Sequence, residues 1–234
     1  MHDKQNAMDC PNNQNEILTG QRLEKEVDSC RIKVTHTPFC TDVQVLELYM
    51  DYMCGLTLLA EDHLNNQTRE WEISTFAEEF LKYAPLLKDC RDFQENLYAC
   101  ASRISDVLFS HPRIKVRLLE FQFSIGELLE EKYEEMESLQ EEIQTINANI
   151  NYADKGQFDQ IVQTGHLKVD PVEWTKEWED VIDEVEKEVA GQLKDISWRM
   201  GFCFEYWGTK KTALSRKGIN WRSPSQMNPR VLFD

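Results

Sequence analysis

The chain has 234 residues, with 26 basic and 42 acidic side chains, and its formal net charge is −16 with the histidines neutral. Nucleic-acid backbones and anionic membranes repel so acidic a body, which excludes general binding of either by most of the chain. No run approaches the roughly 20 apolar residues that span a bilayer, and residues 1–16 lack the apolar stretch of a secretory signal. Seven cysteines, odd in number and widely spaced, favour reduced thiols in the cytoplasm over a disulfide framework.

Residues 1–40 are expected to form a flexible N-terminal segment. The first 30 are rich in Asn, Gln and charged groups and poor in apolar ones, which is typical of chain without a packed structure of its own. From Arg31 to Thr35 polar and apolar side chains alternate, which indicates one short strand or extended segment ended by Pro38.

Residues 41–111 are predicted to form a base of three helices. Apolar residues recur at spacings of three and four from Val45 onward, with Thr41 or Asp42 as the N-cap. The second helix is expected to stop before Pro85, because the residue preceding a proline disfavours helical geometry. The third is expected over residues 88–109.

Residues 112–207 are predicted to form a long acidic hairpin of two antiparallel helices. The first arm begins at Pro112, keeps one apolar stripe from residue 113 to 150, and would reach about 57 Å if unbroken, with Gly126 as a candidate bend. The second arm opens with the capping signature Asp170-Pro171-Val172-Glu173. A tip element over residues 151–170 would join them. The expected fold class is all-α, a helical bundle with a coiled-coil-like hairpin.

The C-terminal tail, residues 208–234, is basic, whereas the rest of the chain is acidic. Residues 194–234 hold eight basic groups against three acidic ones, a local charge of +5, which leaves −21 for residues 1–193. Three interpretations stay open: the tail folds back on its own acidic hairpin, docks on a protein partner, or stacks against single-stranded nucleic acid. The candidate binding residues are Trp207, Lys210, Lys211, Arg216, Lys217, Trp221 and Arg222.

Acidic residues at helical spacing form the first candidate chemical site. Glu177, Asp180, Asp183 and Glu184 lie three and four apart, so several would share one helix face and could hold Mg²⁺ for phosphate chemistry. The segments 177–180 and 134–137 resemble, in their spacing, the Glu-x-x-Glu and Glu-x-x-Asp motifs of all-α nucleotide pyrophosphohydrolases. That resemblance implies a Mg²⁺-dependent hydrolase. A solvated acidic face explains the same residues and is the favoured interpretation.

Thiols and an imidazole form the second candidate site. Cys30, His36 and Cys40 are ligand types that zinc accepts, with Cys10 or His63 as a fourth ligand. Their spacing matches no compact zinc motif, and cysteine also serves as a small buried apolar residue, so no metal is the favoured interpretation. Nucleophile elbows, phosphate-binding glycine loops and dinucleotide fingerprints are missing from the sequence.

The leading functional hypothesis is therefore a non-enzymatic cytoplasmic interaction protein, an adaptor or assembly factor. It would bind a protein partner or self-associate through the rigid acidic hairpin and the tail, and the hairpin could mimic nucleic acid toward a basic partner. The alternatives are the Mg²⁺-dependent nucleotide hydrolase and a tail-mediated binder of single-stranded nucleic acid.

Overall fold

The computed structural model describes residues 20–130, 133–196 and 200–233, and all regular structure within these ranges is helical, which confirms the all-α expectation. None of the described helices is long and apolar enough to cross a bilayer. Short 3₁₀ turns at Glu70–Glu72, Arg91–Phe93, Phe158–Gln160 and Pro171–Trp174 connect the α-helices. The α-helices of these ranges are α1 Gly20–His36, α2 Val43–Asn65, α3 Ile73–Leu87, α4 Gln94–Val107, α5 Pro112–Leu129, α6 Tyr133–Asp154, α7 Lys176–Glu179, α8 Ile182–Leu193, α9 Phe202–Arg216 and α10 Pro224–Met227.

The main core lies among α1 to α5, with α2 at its centre. Helix α2 packs against α1, α3 and α4, and Tyr52, Met53 and Leu56 on it are fully buried. Its N-cap is Asp42, whose side chain accepts a 2.9 Å hydrogen bond from the Gln44 amide. Helices α2, α3 and α4 lie within the range predicted for the three-helix base, and α1 and α5 complete their core.

Residues 31–35 are helical, so the predicted strand is wrong, and residues 1–19 lie outside the described part of the chain. The segment belongs to α1, whose buried residues Leu23, Val27 and Val34 follow helical spacing. Ile32, the first apolar residue of the alternating pattern, is 62% exposed. Val34 is buried and Ile32 is not, so the two apolar residues do not form the single buried face that a strand would require.

Helix α3 continues through Pro85 to Leu87, so the predicted stop before the proline is also wrong. Ala84 and Leu87 are fully buried in the main core, and their burial favours continuing the helix by one more turn. Helix α4 begins at Gln94, later than predicted, because the 3₁₀ turn Arg91–Phe93 precedes it.

The predicted first arm is two helices that fold back on each other. Glu130 adopts a left-handed conformation with φ 54° and ends α5, its amide donating to the Gly126 carbonyl. Helix α6 then returns antiparallel along α5. Gly126 is a site of close approach rather than a bend, since a Cβ there would lie 2.6 Å from the Met136 sulfur. The apolar stripe continues across the break because α5 and α6 bury their apolar faces against one another. Their contact forms a second core, which contains Val116, Leu119, Leu139 and Ile146.

The predicted second arm is broken as well. Asp170 is an N-cap, as expected, but it begins only a 3₁₀ turn with Pro171 at its first position. Helices α8 and α9 pack against each other, and Gly201, at φ 83°, provides the left-handed residue before α9. Two shorter hairpins, α5–α6 and α8–α9, therefore replace the single long coiled-coil-like one among the described residues.

The start of α5 joins the α8–α9 region to the main core. The Arg113 amide and guanidinium both donate to the Glu179 carboxylate, at 2.7 and 3.0 Å, and the guanidinium also donates to Asp154 at the end of α6. The Trp178 indole N–H donates to the Ser110 carbonyl at 3.1 Å. These contacts hold α6, α7 and the main core together at one point.

Candidate interaction surface

The basic tail pairs with carboxylates of its own chain. Four of its predicted binding cations contact acids that lie between residues 170 and 188, most of them on α8. This agrees with the interpretation in which the tail folds back on the acidic part of the chain. The pairs are Lys210–Glu186, Arg216–Glu188, Lys217–Glu184 and Arg222–Asp170.

Helices α7, α8 and α9 and the tail build a third core, and Lys210 is buried against it. The buried residues of this core are Trp178, Ile182, Val185, Val189, Ala213, Leu214, Ile219 and Trp221. The Lys210 ammonium is 2.6 Å from a Glu186 oxygen and lies 5.0 and 5.2 Å from the ring centres of Trp178 and Trp221. Those two indoles are buried, with ring centres 6.2 Å apart. The aromatic rings and the carboxylate compensate this cation for its lost hydration, so loss of one partner alone should be costly.

Titratable groups around Lys210 respond to this burial. Burial raises the pKa of the Tyr206 hydroxyl far above its usual value, and the neighbouring Glu186 carboxylate raises the pKa further. Burial likewise raises the pKa of Glu173, although the Trp221 indole N–H, 2.7 Å away, opposes the increase. The buried polar side-chain atoms of this cluster have partners from the chain itself, which is typical of a structural element.

The remaining predicted binding residues also contact their own chain. The Trp207 ring makes edge-on contacts with Phe204 and Phe233, with ring centres 5.4 and 5.1 Å apart. The Lys211 ammonium donates to the Gln226 side chain at 3.1 Å. Binding of an external partner through these residues stays a prediction, one that would require existing contacts to be exchanged.

The four candidate catalytic carboxylates do not converge. Glu177 is exposed on α7 and Asp180 is exposed directly after it. Glu184 pairs with Lys217, and Asp183 turns toward the main core. Among the described residues, no three His, Cys, Asp or Glu side chains form a group that could hold a metal ion. Mg²⁺ binding stays a prediction of the sequence alone.

The candidate zinc ligands are likewise apart. Cys30 is half-buried in α1, where burial raises the pKa of its thiol. His36 ends the same helix with its Nδ1 bonded to a helix carbonyl, and Cys40 is exposed beyond it. His63 is buried in α2, and Cys10 lies outside the described residues. The three main candidates therefore do not form a metal-holding group.

Asp183 contacts Ser74 and His111, which no local pattern in the sequence indicated. Its Oδ2 accepts a 2.5 Å hydrogen bond from the Ser74 hydroxyl and lies 3.3 Å from His111 Nε2, at the edge of an open cleft of about 620 Å³. The carboxylate stands between the serine and the histidine, whereas nucleophilic catalysis needs the histidine beside the serine. The contact ties α3, the start of α5 and α8 together.

The loop between α6 and α7 is fixed by three amide side chains, each of which bonds both backbone groups of one residue. The Asn149 amide bonds the N–H and C=O of Val162, both at 2.9 Å. Gln163 does the same for Val169 at 3.0 and 3.1 Å, and Asn228 for Lys168 at 2.9 and 2.8 Å. We call residues 158–169 the pinned loop, because these bonds replace those of a regular helix or strand.

The pinned loop presents apolar side chains to solvent. Exposed apolar clusters on an ordered scaffold are typical of binding surfaces, since isolated exposed residues are common but a group of them is not. The sequence contains the residues, but no local pattern links Asn149 or Asn228 to the backbone they bond. The exposed members are Phe158 at 43%, Val162 at 54%, Leu167 at 40% and Val169 at 39%.

Replacing Asn149 by Ala is expected to lower the free energy of unfolding by about 1–3 kcal/mol, because it leaves the Val162 amide and carbonyl without their partners. Asn149 is fully buried, whereas Asn147 on the same helix is exposed. Urea unfolding of Asn149→Ala and the control Asn147→Ala measures the difference. Equal stability of the two variants would show that the amide does not hold the loop.

Comparison of the chain with protein-family models, with curated proteins and with solved structures returns no match. Function must therefore be inferred from the chemistry and exposure of the chain's own residues.

Proposed function

We propose that the protein is a non-enzymatic interaction protein, an adaptor or assembly factor of the cytoplasm, that binds a protein partner through the pinned loop. The observation that carries the proposal is a loop with only a single 3₁₀ turn, held by three two-bond amide contacts, that exposes four large apolar side chains. A surface already ordered before binding loses little conformational entropy when a partner docks. Because the loop is held in one conformation, binding a partner explains it better than a role as a simple connection between helices.

The partner expected from this chemistry is a protein with an apolar patch flanked by basic residues. The body of the chain is strongly acidic, and complementary charge steers encounter and suppresses wrong partners. Apolar anchors at the centre of the contact would supply most of the affinity.

The contacts of the tail weigh against its use as the docking element. Lys210 and Trp221 are buried, and three cations that a nucleic-acid strand would use are already paired with carboxylates, namely Lys210, Arg216 and Lys217. Binding of single-stranded nucleic acid by the tail, and Mg²⁺-dependent hydrolysis, stay predictions of the sequence.

Replacing Val162 and Leu167 by Ser is expected to abolish retention of a stoichiometric partner in affinity capture from a native lysate at low salt. Loss of two apolar anchors should weaken a purified complex at least about tenfold, the equivalent of about 1.4 kcal/mol. Point substitutions are preferable to ending the chain at Trp207, since that truncation removes Leu214 and Trp221 from the third core.

The matched control is Ile32→Ser, which removes a side chain of similar exposure from α1. Retention by wild type and control but not by the loop variant supports the proposal. Unchanged retention in the loop variant, equal loss in the control, or no stoichiometric partner for the wild type would each contradict it.

A further inference from the structure

Two cysteines from different helices of the main core face each other. Cys54 on α2 and Cys100 on α4 are 46 residues apart in sequence, yet their sulfur atoms are 4.0 Å apart. Cys100 is 4% exposed, and Cys54 is half-buried. The pair therefore combines a protected thiol with one that a small solute can approach.

The neighbourhood holds the two sulfurs together. Arg103 on α4 donates to both oxygens of Glu61 on α2, so an ion pair links the same two helices close to the cysteines. Helices α2 and α4 also pack directly in the main core. A disulfide needs the sulfurs to come to about 2 Å, a change that rotation of two side chains can provide where the helices already touch.

The chemistry of the pair suits bond formation. The Cys54 thiol, as hydrogen-bond partner, lowers the pKa of the Cys100 thiol, and the Thr57 hydroxyl and the Arg103 charge act in the same direction. A lowered pKa increases the thiolate fraction, and the thiolate is the form that attacks sulfur. Burial opposes this shift without reversing it.

We propose that Cys54 and Cys100 are a modification site at which a hydroperoxide forms an intramolecular disulfide that locks α2 to α4. The more accessible Cys54 thiol passes its proton to the Cys100 thiolate and attacks hydrogen peroxide. The S–O bond forms as the O–O bond breaks, and the leaving hydroxide takes that proton back from Cys100 to become water. The Cys100 thiolate then attacks the Cys54 sulfur, the S–S bond forms, and the sulfenic oxygen leaves as a second water. Two thiols are oxidised by two electrons, and one peroxide is reduced.

Closure of this bond would cross-link the main core around α3. Because a cross-link across 46 residues restricts the unfolded chain, the oxidised protein is expected to melt about 5–15 °C higher than the reduced one. Dithiothreitol should return the melting temperature to its reduced value. The reversible lock is independent of any partner at the pinned loop.

The test treats the folded full chain with graded hydrogen peroxide, blocks remaining thiols with N-ethylmaleimide, and maps the peptides by mass spectrometry. The expected product is a Cys54–Cys100 linked peptide, lighter than its parts by two hydrogen atoms, together with the rise in melting temperature. Cys54→Ser should abolish both, whereas Cys40→Ser, which removes an exposed thiol, should change neither.

Recovery of Cys54 and Cys100 as separate peptides, at peroxide concentrations that fully oxidise the exposed Cys40, would overturn the proposal. A linked peptide that forms only in denaturant, or the same increase in melting temperature in Cys54→Ser, would overturn it as well. The peptide map is read on the wild-type chain, so the result does not depend on the stability of any variant.

Discussion

Replacing Trp178 by Ala is expected to lower the free energy of unfolding by about 3–5 kcal/mol, the cost of emptying a fully buried indole site. Trp178 is 0% exposed, packs against Trp221, and donates its indole N–H to the Ser110 carbonyl. Its loss would open the third core and weaken the link between that core and the start of α5. Urea unfolding followed by tryptophan fluorescence and circular dichroism measures the change.

The control for this prediction is Trp207→Ala, the same chemical change at a half-buried position of α9. It should cost clearly less than Trp178→Ala, because less apolar surface leaves a packed environment. Trp178→Phe should retain most of the packing and lose mainly the hydrogen bond, a cost of about 1 kcal/mol. A loss in Trp178→Ala no larger than in Trp207→Ala would refute a central role for Trp178.

Replacing Glu186 by Ala is expected to cost about 3–5 kcal/mol, because it leaves the Lys210 ammonium buried without its counter-charge. The side chains of Lys210 and Glu186 are only 10% and 16% exposed, and the Tyr206 hydroxyl donates to the same carboxylate. The free energy of unfolding in urea is the quantity to measure.

Two controls separate burial of charge from loss of a contact. Glu188→Ala breaks the exposed pair with Arg216, between the same two helices, and should cost less than about 1 kcal/mol. The double variant Glu186→Leu with Lys210→Met should recover most of the lost stability, since apolar residues can replace a buried ion pair. If the double variant is as unstable as Glu186→Ala, the buried charge is not the cause.

Both predictions concern the same structural question, namely why an acidic chain carries a basic tail. The cations of α9 and the tail lie against the acids of residues 170–188, and the tail's Trp221 fills the core beneath them. Acidic and basic residues that are separated along the sequence are therefore paired with each other in the folded chain. The recognition surface that we propose lies elsewhere, on the pinned loop.

Local signals in the sequence were sufficient for the helical class and for several helix ends. Asp42 and Asp170 cap helical segments, and Pro112 begins α5. Each of these depends on neighbouring residues only, because capping and proline geometry act within one turn. Composition made the pairing of tail cations with acids of the same chain one of three open interpretations, since opposite charges on one chain attract.

Tertiary structure alone decided the rest. An apolar stripe with three-four spacing looks the same whether a helix continues or folds back at Glu130, because periodicity records the buried face and not its partner. The bonds from Asn228 to Lys168 and the contact of Cys54 with Cys100 join residues 60 and 46 positions apart. No local pattern encodes such distances, so the pinned loop and the thiol pair became visible only once packing had placed these side chains together.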